Sequence, residues 1–227
     1  HPNGHFETNY NLLYDLAARF HDSQIQGVAD HLRTLGQTGQ EEWWTLAWRD
    51  DSIKPTPMSQ VPTHHWFRDH DVAFWRSNWN TDATAVAFKC GPAEGHAAAE
   101  LKAKYPDWHF EQGHAHPDVN SFIVWAKGAY LTGDSGYSGV PKTIDHNTLL
   151  IDGKGQGNDG NGHDAWAKYD YTRLNETHIT KADFTATGFT LIGEGAGAYD
   201  ASLGLKQFNR RIELSPASGI TISDTVA

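Results

Sequence analysis

A change of period at a proline-rich stretch constrains this chain more than any other feature. Before it, apolar residues recur at helical spacing. Leu12, Leu13, Leu16, Ala17 and Phe20 form one series behind a Thr8/Asn9 cap, and Ile25, Val28, Leu32 and Leu35 form a second, closed by Gly36. Residues 41–48 fit a short third helix. Then comes Lys54-Pro55-Thr56-Pro57, with Pro62 beyond. Proline ends helices and favours extended chain, so 53–70 reads as a linker between a helical segment over 1–52 and a second module over 71–227. After the linker the period shortens to that of strands. Runs rich in β-branched and aromatic residues, separated by Gly, Asn or Asp, cover 71–76, 83–89, 121–126, 129–132, 148–151, 166–171, 189–192, 206–214 and 220–223. A helical block followed by many short strands predicts a mainly β protein whose β part is a sandwich or barrel.

Composition narrows the function. The 227 residues carry a formal net charge of −10 with neutral histidines. That argues against nucleic acid or an anionic membrane surface as partner, since both require a basic face. An acidic polysaccharide stays open, because a cleft can be locally basic. One cysteine, Cys90, excludes an internal disulfide framework. No apolar run is long enough to span a bilayer. With no signal-peptide pattern near His1 and a strand-like run at its end, the chain reads as an internal fragment of something longer. Nine tryptophans and eight tyrosines suit the core of a sandwich, with sugar stacking as the lesser use.

Chemistry concentrates between residues 113 and 148. There the chain reads Gly113-His114-Ala115-His116-Pro117-Asp118-Val119-Asn120-Ser121-Phe122, then Thr132-Gly133-Asp134-Ser135-Gly136-Tyr137, then Asp145-His146-Asn147-Thr148. Two imidazoles and a carboxylate flanking strands can converge on one divalent cation. Zinc takes that donor mixture readily and manganese also accepts it; the competing reading is a hydrogen-bonded polar cluster under loops. Asn120 is expected to cap its loop through backbone hydrogen bonds. The glycine-rich run over 153–162 (GKGQGNDGNG) has no following Lys-Ser/Thr, so it reads as a flexible loop and not as a phosphate cradle.

These three segments, in this order, resemble the C-terminal domain of the heparinase II/III family of polysaccharide lyases. The likeness extends from about Asp71 to Val226, supported by Phe74-Trp75-Arg76-Ser77-x-Trp79 and by Arg211-x-Glu213 through Asp224. The opening Asn3-Gly4-x-x-Glu7-x-x-Tyr10 resembles a segment near the end of the family's α/α toroid, with two departures: Asn3 stands where Asp is usual, and Tyr10 lies closer to Glu7, which leaves Tyr14 as its rival. The resemblance implies an antiparallel β-sandwich preceded by the last helices of an α/α toroid. It implies His114 as a catalytic residue paired with Tyr10. It implies His116, Asp134 and His146 as ligands of one structural divalent metal, with zinc first and manganese or calcium as alternatives. Glu7, His109 and Arg76 are the substrate-side candidates, although Arg76 also suits an ion pair at the rim.

The implied reaction is β-elimination at a uronic acid of an alginate- or glycosaminoglycan-type polymer. A base removes the C5 proton and the C4–O glycosidic bond breaks. The carboxylate must be neutralised as the enolate-like transition state forms, and an acid and a base must lie within hydrogen-bond reach. The substrate class implies a secreted or periplasmic enzyme, and the fragment alone is expected to be inactive or very weak. Two rival readings compete. A cupin-like metalloenzyme also uses His-x-His, but a Glu should follow shortly and the next one here is Glu176. A non-catalytic carbohydrate-binding sandwich with a structural metal would not need His114.

Overall fold

The computed structural model describes residues 10–35, 43–107, 114–136, 139–160, 162 and 164–227. The chain divides into two compact units, His1–Pro62 and Thr63–Ala227.

In the first unit, α1 (Tyr10–Phe20), α2 (Ser23–Thr34) and α3 (Trp43–Trp48) follow the expected helical spacing. Asp22 starts α2 by accepting hydrogen bonds from the backbone N–H groups of Gln24 (2.7 Å) and Ile25 (3.0 Å), which satisfies donors that a helix start leaves unpaired. Tyr10, Tyr14 and Ala29 make the buried centre, with Leu13, Leu32 and Trp48 against them. Residues 53–57, read as linker, instead pack on α2. Gln26, fully buried, donates to the carbonyls of Asp50 and Ile53, and Thr56 N–H donates to Ser23. The approach is so close that a Cβ on Gly27 would lie 2.1 Å from the Thr56 carbonyl oxygen. The prolines here do not free the chain.

The second unit is an antiparallel sandwich. Strands β1 (His64–Phe67), β2 (Val72–Arg76), β3 (Ala85–Lys89), β4 (Ser121–Ala126) and β5 (Ala129–Tyr130) form one sheet in sequence order. Strands β6 (His178–Thr185), β7 (Gly188–Glu194), β8 (Phe208–Ser215) and β9 (Gly219–Val226) form the other. Helix α4 (His96–Lys104) follows β3, and α5 (Tyr171–Leu174) precedes β6. Alternation decides which side chains meet. Ala73 and Trp75 of β2, Val86 and Phe88 of β3, and Phe122 and Val124 of β4 face Ile179, Phe189, Leu191, Phe208 and Ile212 in a single core. Trp75 also donates its indole N–H across the sandwich to the carbonyl of Thr185 (3.1 Å).

Three expectations change. Strand β1 lies in the stretch read as linker; it pairs with β2 in register from His64↔Trp75 to Phe67↔Val72. The run 166–171, read as a strand, is a turn leading into α5, because Asp170 caps that helix by accepting from Thr172 and Arg173 N–H. The run 148–151 makes only an isolated bridge, Ile151 with Lys154, across a tight turn whose Asp152 and Gly153 both have positive φ.

Candidate active site

His116, Asp134 and His146 come together at the end of the five-stranded sheet where β4 begins. Asp118-to-Asn120 leads into β4 at Ser121. The chain after β5 runs back beside β4, with Leu131 N–H on the Val124 carbonyl and Val124 N–H on Thr132 Oγ1. That return brings Asp134 to the entrance of β4. His146 follows a 3₁₀ turn over Thr143–Asp145 and is buried.

His146 Nδ1 and Asp134 Oδ2 are hydrogen-bonded at 2.8 Å, and the ring centroids of His116 and His146 are 5.1 Å apart. The second Asp134 oxygen accepts from Gly136 N–H (2.8 Å). The electrostatics follow from this packing. Burial pushes the Asp134 carboxyl up, but the hydrogen bonds from His146 and Gly136 outweigh it and hold the group below the usual carboxylate range. Burial and the neighbouring His146 lower His116. For His146 burial works downward too, yet Asp134 and the charge of Asp118 raise it. Asp118 is itself ion-paired with Lys89 at the end of β3.

Among the described residues, no three His, Cys, Asp or Glu side chains form a ready-made metal cage. The cluster is instead an aspartate-braced imidazole with a second imidazole beside it. Its Nδ1 edge is occupied by Asp134, and its buried Nε2 has no hydrogen-bond partner among the described residues. A buried polar atom left this way is costly. A nitrogen lone pair next to a second imidazole and a carboxylate is the donor chemistry of a divalent transition metal. His146 Nε2 and the neighbouring His116 ring are donors of that kind, while Asp134 braces Nδ1 of the same imidazole and is not arranged as a third ligand.

Buried side chains hold the segments in place through the backbone. The Trp166 indole N–H donates to the His116 carbonyl (3.2 Å). Gln156 binds both sides of Val119, accepting its N–H at 2.9 Å and donating to its C=O at 2.8 Å. Thr148 Oγ1 donates to the same carbonyl. Asn147 Nδ2 joins the carbonyls of Phe122 (2.9 Å) and Gly133 (2.7 Å), tying the segments of His116, Asp134 and His146 to one another. Asn120 has φ +60° and sends its amide to Gly193 and Phe208 carbonyls on the other sheet. A Cβ on Gly193 would lie 2.4 Å from Asn120 Oδ1, so β7 is free of a side chain where Asn120 enters. Sequence reasoning expected Asn120 to cap its own loop, whereas its amide crosses to the other sheet, and it read the loop holding Gln156 as flexible. Gly157, with φ +56°, in fact lets that loop close against Ala165 and Trp166.

His114 is exposed on a turn two residues before His116. His109 and Glu7 lie outside the described residues. Arg76 is not part of this cluster. It sits at the opposite end of β2, where Arg76 pairs with Ala85 and Ala85 with Trp125. That is four residues, or about 14 Å of strand, from the Lys89–Ser121 end. Its Nε donates to the Asn78 carbonyl and its guanidinium stacks on Trp79 at 4.2 Å. In the helical unit, Tyr10 and Tyr14 are both buried, edge to face at 6.1 Å. The Tyr14 hydroxyl donates to Asp30 at 2.7 Å. Burial, then Asp30, pushes its pKa up to about 12, which keeps the hydroxyl protonated near neutral pH.

Residues 53–227 match the sequence profile of a family described as heparinase II/III-like, C-terminal. Solved structures show a similar fold. Heparan sulfate lyase HepC from Pedobacter heparinus superposes with a TM-score of 0.58 at 16% identity, covering 96% of this chain and 28% of that one. A heparinase III with methylated lysines gives 0.56 at 18% identity, covering 97% and 27%. The chain therefore spans about a quarter of the length of those proteins. Neighbouring strands in both sheets are consecutive in the chain, a meander order and not the Greek-key order of a cupin jelly roll. No helix among the described residues is long and apolar enough to cross a membrane.

Proposed function

We propose, from the premise that this chain belongs to the heparinase II/III-like C-terminal domain family, that it supplies part of the active site of a polysaccharide lyase. The substrate is an acidic polysaccharide with uronic acid units, of glycosaminoglycan or alginate type, met outside the cell or in the periplasm. One observation carries the reading: a family-matched β unit gathers His116, Asp134 and His146 and leaves His146 Nε2 buried and unpartnered. Those three residues would hold one divalent cation, with Asp134 leaving its present bond to His146 Nδ1 to join it. Two imidazoles with a carboxylate favour zinc over the harder calcium ion. When bound, the ion would supply a structural cross-link for the turn that carries His114.

The chain's own residues then perform acid–base work. His114, exposed and two residues from His116, exchanges a proton with substrate. Tyr10 is assigned as its partner on the family resemblance, with Tyr14 as its rival. Tyr10 is enclosed in the helical core, so this role asks its hydroxyl to open toward substrate. The base takes the proton at C5 of the uronate. The electron pair left at C5 forms the C4–C5 double bond as the C4–O bond breaks, and the acid returns a proton to the leaving oxygen. General acid–base catalysis of this kind contributes about 10²–10⁴-fold.

The test is turnover by a protein of full family length that carries this chain, followed by the ultraviolet absorbance of unsaturated uronate on heparan sulfate and on alginate. His114→Ala should lower turnover by at least about 100-fold and leave bound metal unchanged. Undiminished turnover in His114→Ala would assign the chain to glycan binding instead. The 227-residue chain alone should turn over very weakly.

A further inference from the structure

Arg210 lies on β8, on the opposite sheet from the histidines, and nothing so far gives it a role. Its side chain is 5% exposed. One edge of the guanidinium meets Asp224 on β9 in a two-pronged pair, Nε to Oδ1 at 2.8 Å and Nη2 to Oδ2 at 2.7 Å. The other edge, Nη1, donates to two backbone carbonyls, those of Asn120 (2.6 Å) and Asn147. These carbonyls belong to different segments. Asn120 ends the stretch that begins at His114 and His116, and Asn147 is the residue after His146. The rings of Phe122 and Phe208 flank the guanidinium at 5.3 and 5.4 Å, leaving it little freedom to turn.

A buried charge in an apolar core is expensive unless fully paired. A sandwich that needed only to be stable could place a leucine here. The fork geometry does something a leucine cannot: it fixes two loop carbonyls at one point and refers both to a rigid strand pair. We propose that Arg210, braced by Asp224, is a positioning residue that sets the His116 segment and the His146 segment at the spacing the site requires. This rests on the lyase reading given above for what that spacing serves, but the positioning itself is a property of this chain.

Lysine at 210 keeps the charge but cannot span Asp224 and two carbonyls with a planar fork. Hydrogen exchange of the 227-residue chain compares the parent with Arg210→Lys and Asp224→Asn, the milder variant in case the first does not fold. Amides in 116–122 and 143–149 should exchange at least tenfold faster in the variants, while those of the β6–β7 hairpin away from the contact, 182–190, stay within twofold of the parent. Cobalt(II) titration, read by its visible absorption, should weaken at least tenfold in the same variants. Site-segment exchange equal to the parent's, or acceleration spread evenly through both sheets, would overturn the positioning role. A parent chain that never develops the cobalt absorption would sink the metal reading alone, since the exchange data still decide this one.

Discussion

Arg210 and Arg211 are neighbours on β8, yet the strand's alternation sends them into opposite surroundings. Arg210 faces the other sheet, pairs with Asp224 in two places and holds two loop carbonyls. Arg211 faces solvent, 44% exposed, beside Glu213 at 2.6 Å. Both are ion pairs at contact distance, and distance alone would rank them equal. Surroundings separate them. In water the exposed pair exchanges protein contacts for solvent contacts of nearly equal strength, whereas inside the sandwich each polar group must find a partner or remain unpaired at full desolvation cost. The inner face thus uses polar side chains to define where the histidine-bearing loops lie. The outer face uses them for solubility.

The same gradient ranks substitutions by burial. Gln156 is fully enclosed and serves Val119 N–H and C=O together, with further contacts to Thr148 and Tyr199. Gln156→Leu keeps volume but strands both backbone groups, and should cost about 3 kcal/mol in urea unfolding. A loss below about 1 kcal/mol would mean the loop relaxes around it.

His96 is intermediate, its side chain 24% exposed. Its Nε2 meets Asp71 Oδ2 at 3.0 Å and its Nδ1 meets Asn175 Oδ1 at 2.7 Å. Acceptors at both nitrogens favour the protonated ring. Burial lowers its pKa, but bonds to Asp71 and Asn175 and the charges of Asp71 and Asp69 raise it overall. The folded value is above the unfolded value of about 6.5. The stabilisation is therefore full below that pH and is lost as pH rises through the folded value. His96→Ala should cost about 1–2 kcal/mol at pH 5.5, with a smaller difference at pH 9. A difference that grows with pH would contradict this assignment. Arg211→Ala, the smallest effect, should leave the urea unfolding midpoint at the parent's value.

The sequence made some of this legible. Strands β2, β3, β4, β7, β8 and β9 could be found because their apolar residues alternate or run continuously between turn residues. Strand β6 could not. Its residues His178–Thr185 are mostly exposed and polar, and a register shift between Ile179 and Lys181 breaks the alternation. The tryptophan of 166–171 suggested a strand but fills the core from a turn. Within the site, the histidines and Asp134 stood out by residue type and order. Gln156 and Arg210 gave no such signal, because their task is to bind backbone carbonyls and N–H groups that only the fold brings within reach. Arg76 shows the converse: it was a substrate-side candidate within a segment that supported the family likeness, and the strand direction carried it to the far end of the sheet.

Metal content measured directly on the purified 227-residue chain tests the central claim most closely, by equilibrium dialysis against zinc followed by elemental analysis. One zinc per chain should be retained by the parent and by His114→Ala, and lost from His146→Ala. A parent that retains none, or a His146→Ala variant that retains as much as the parent, would contradict the account.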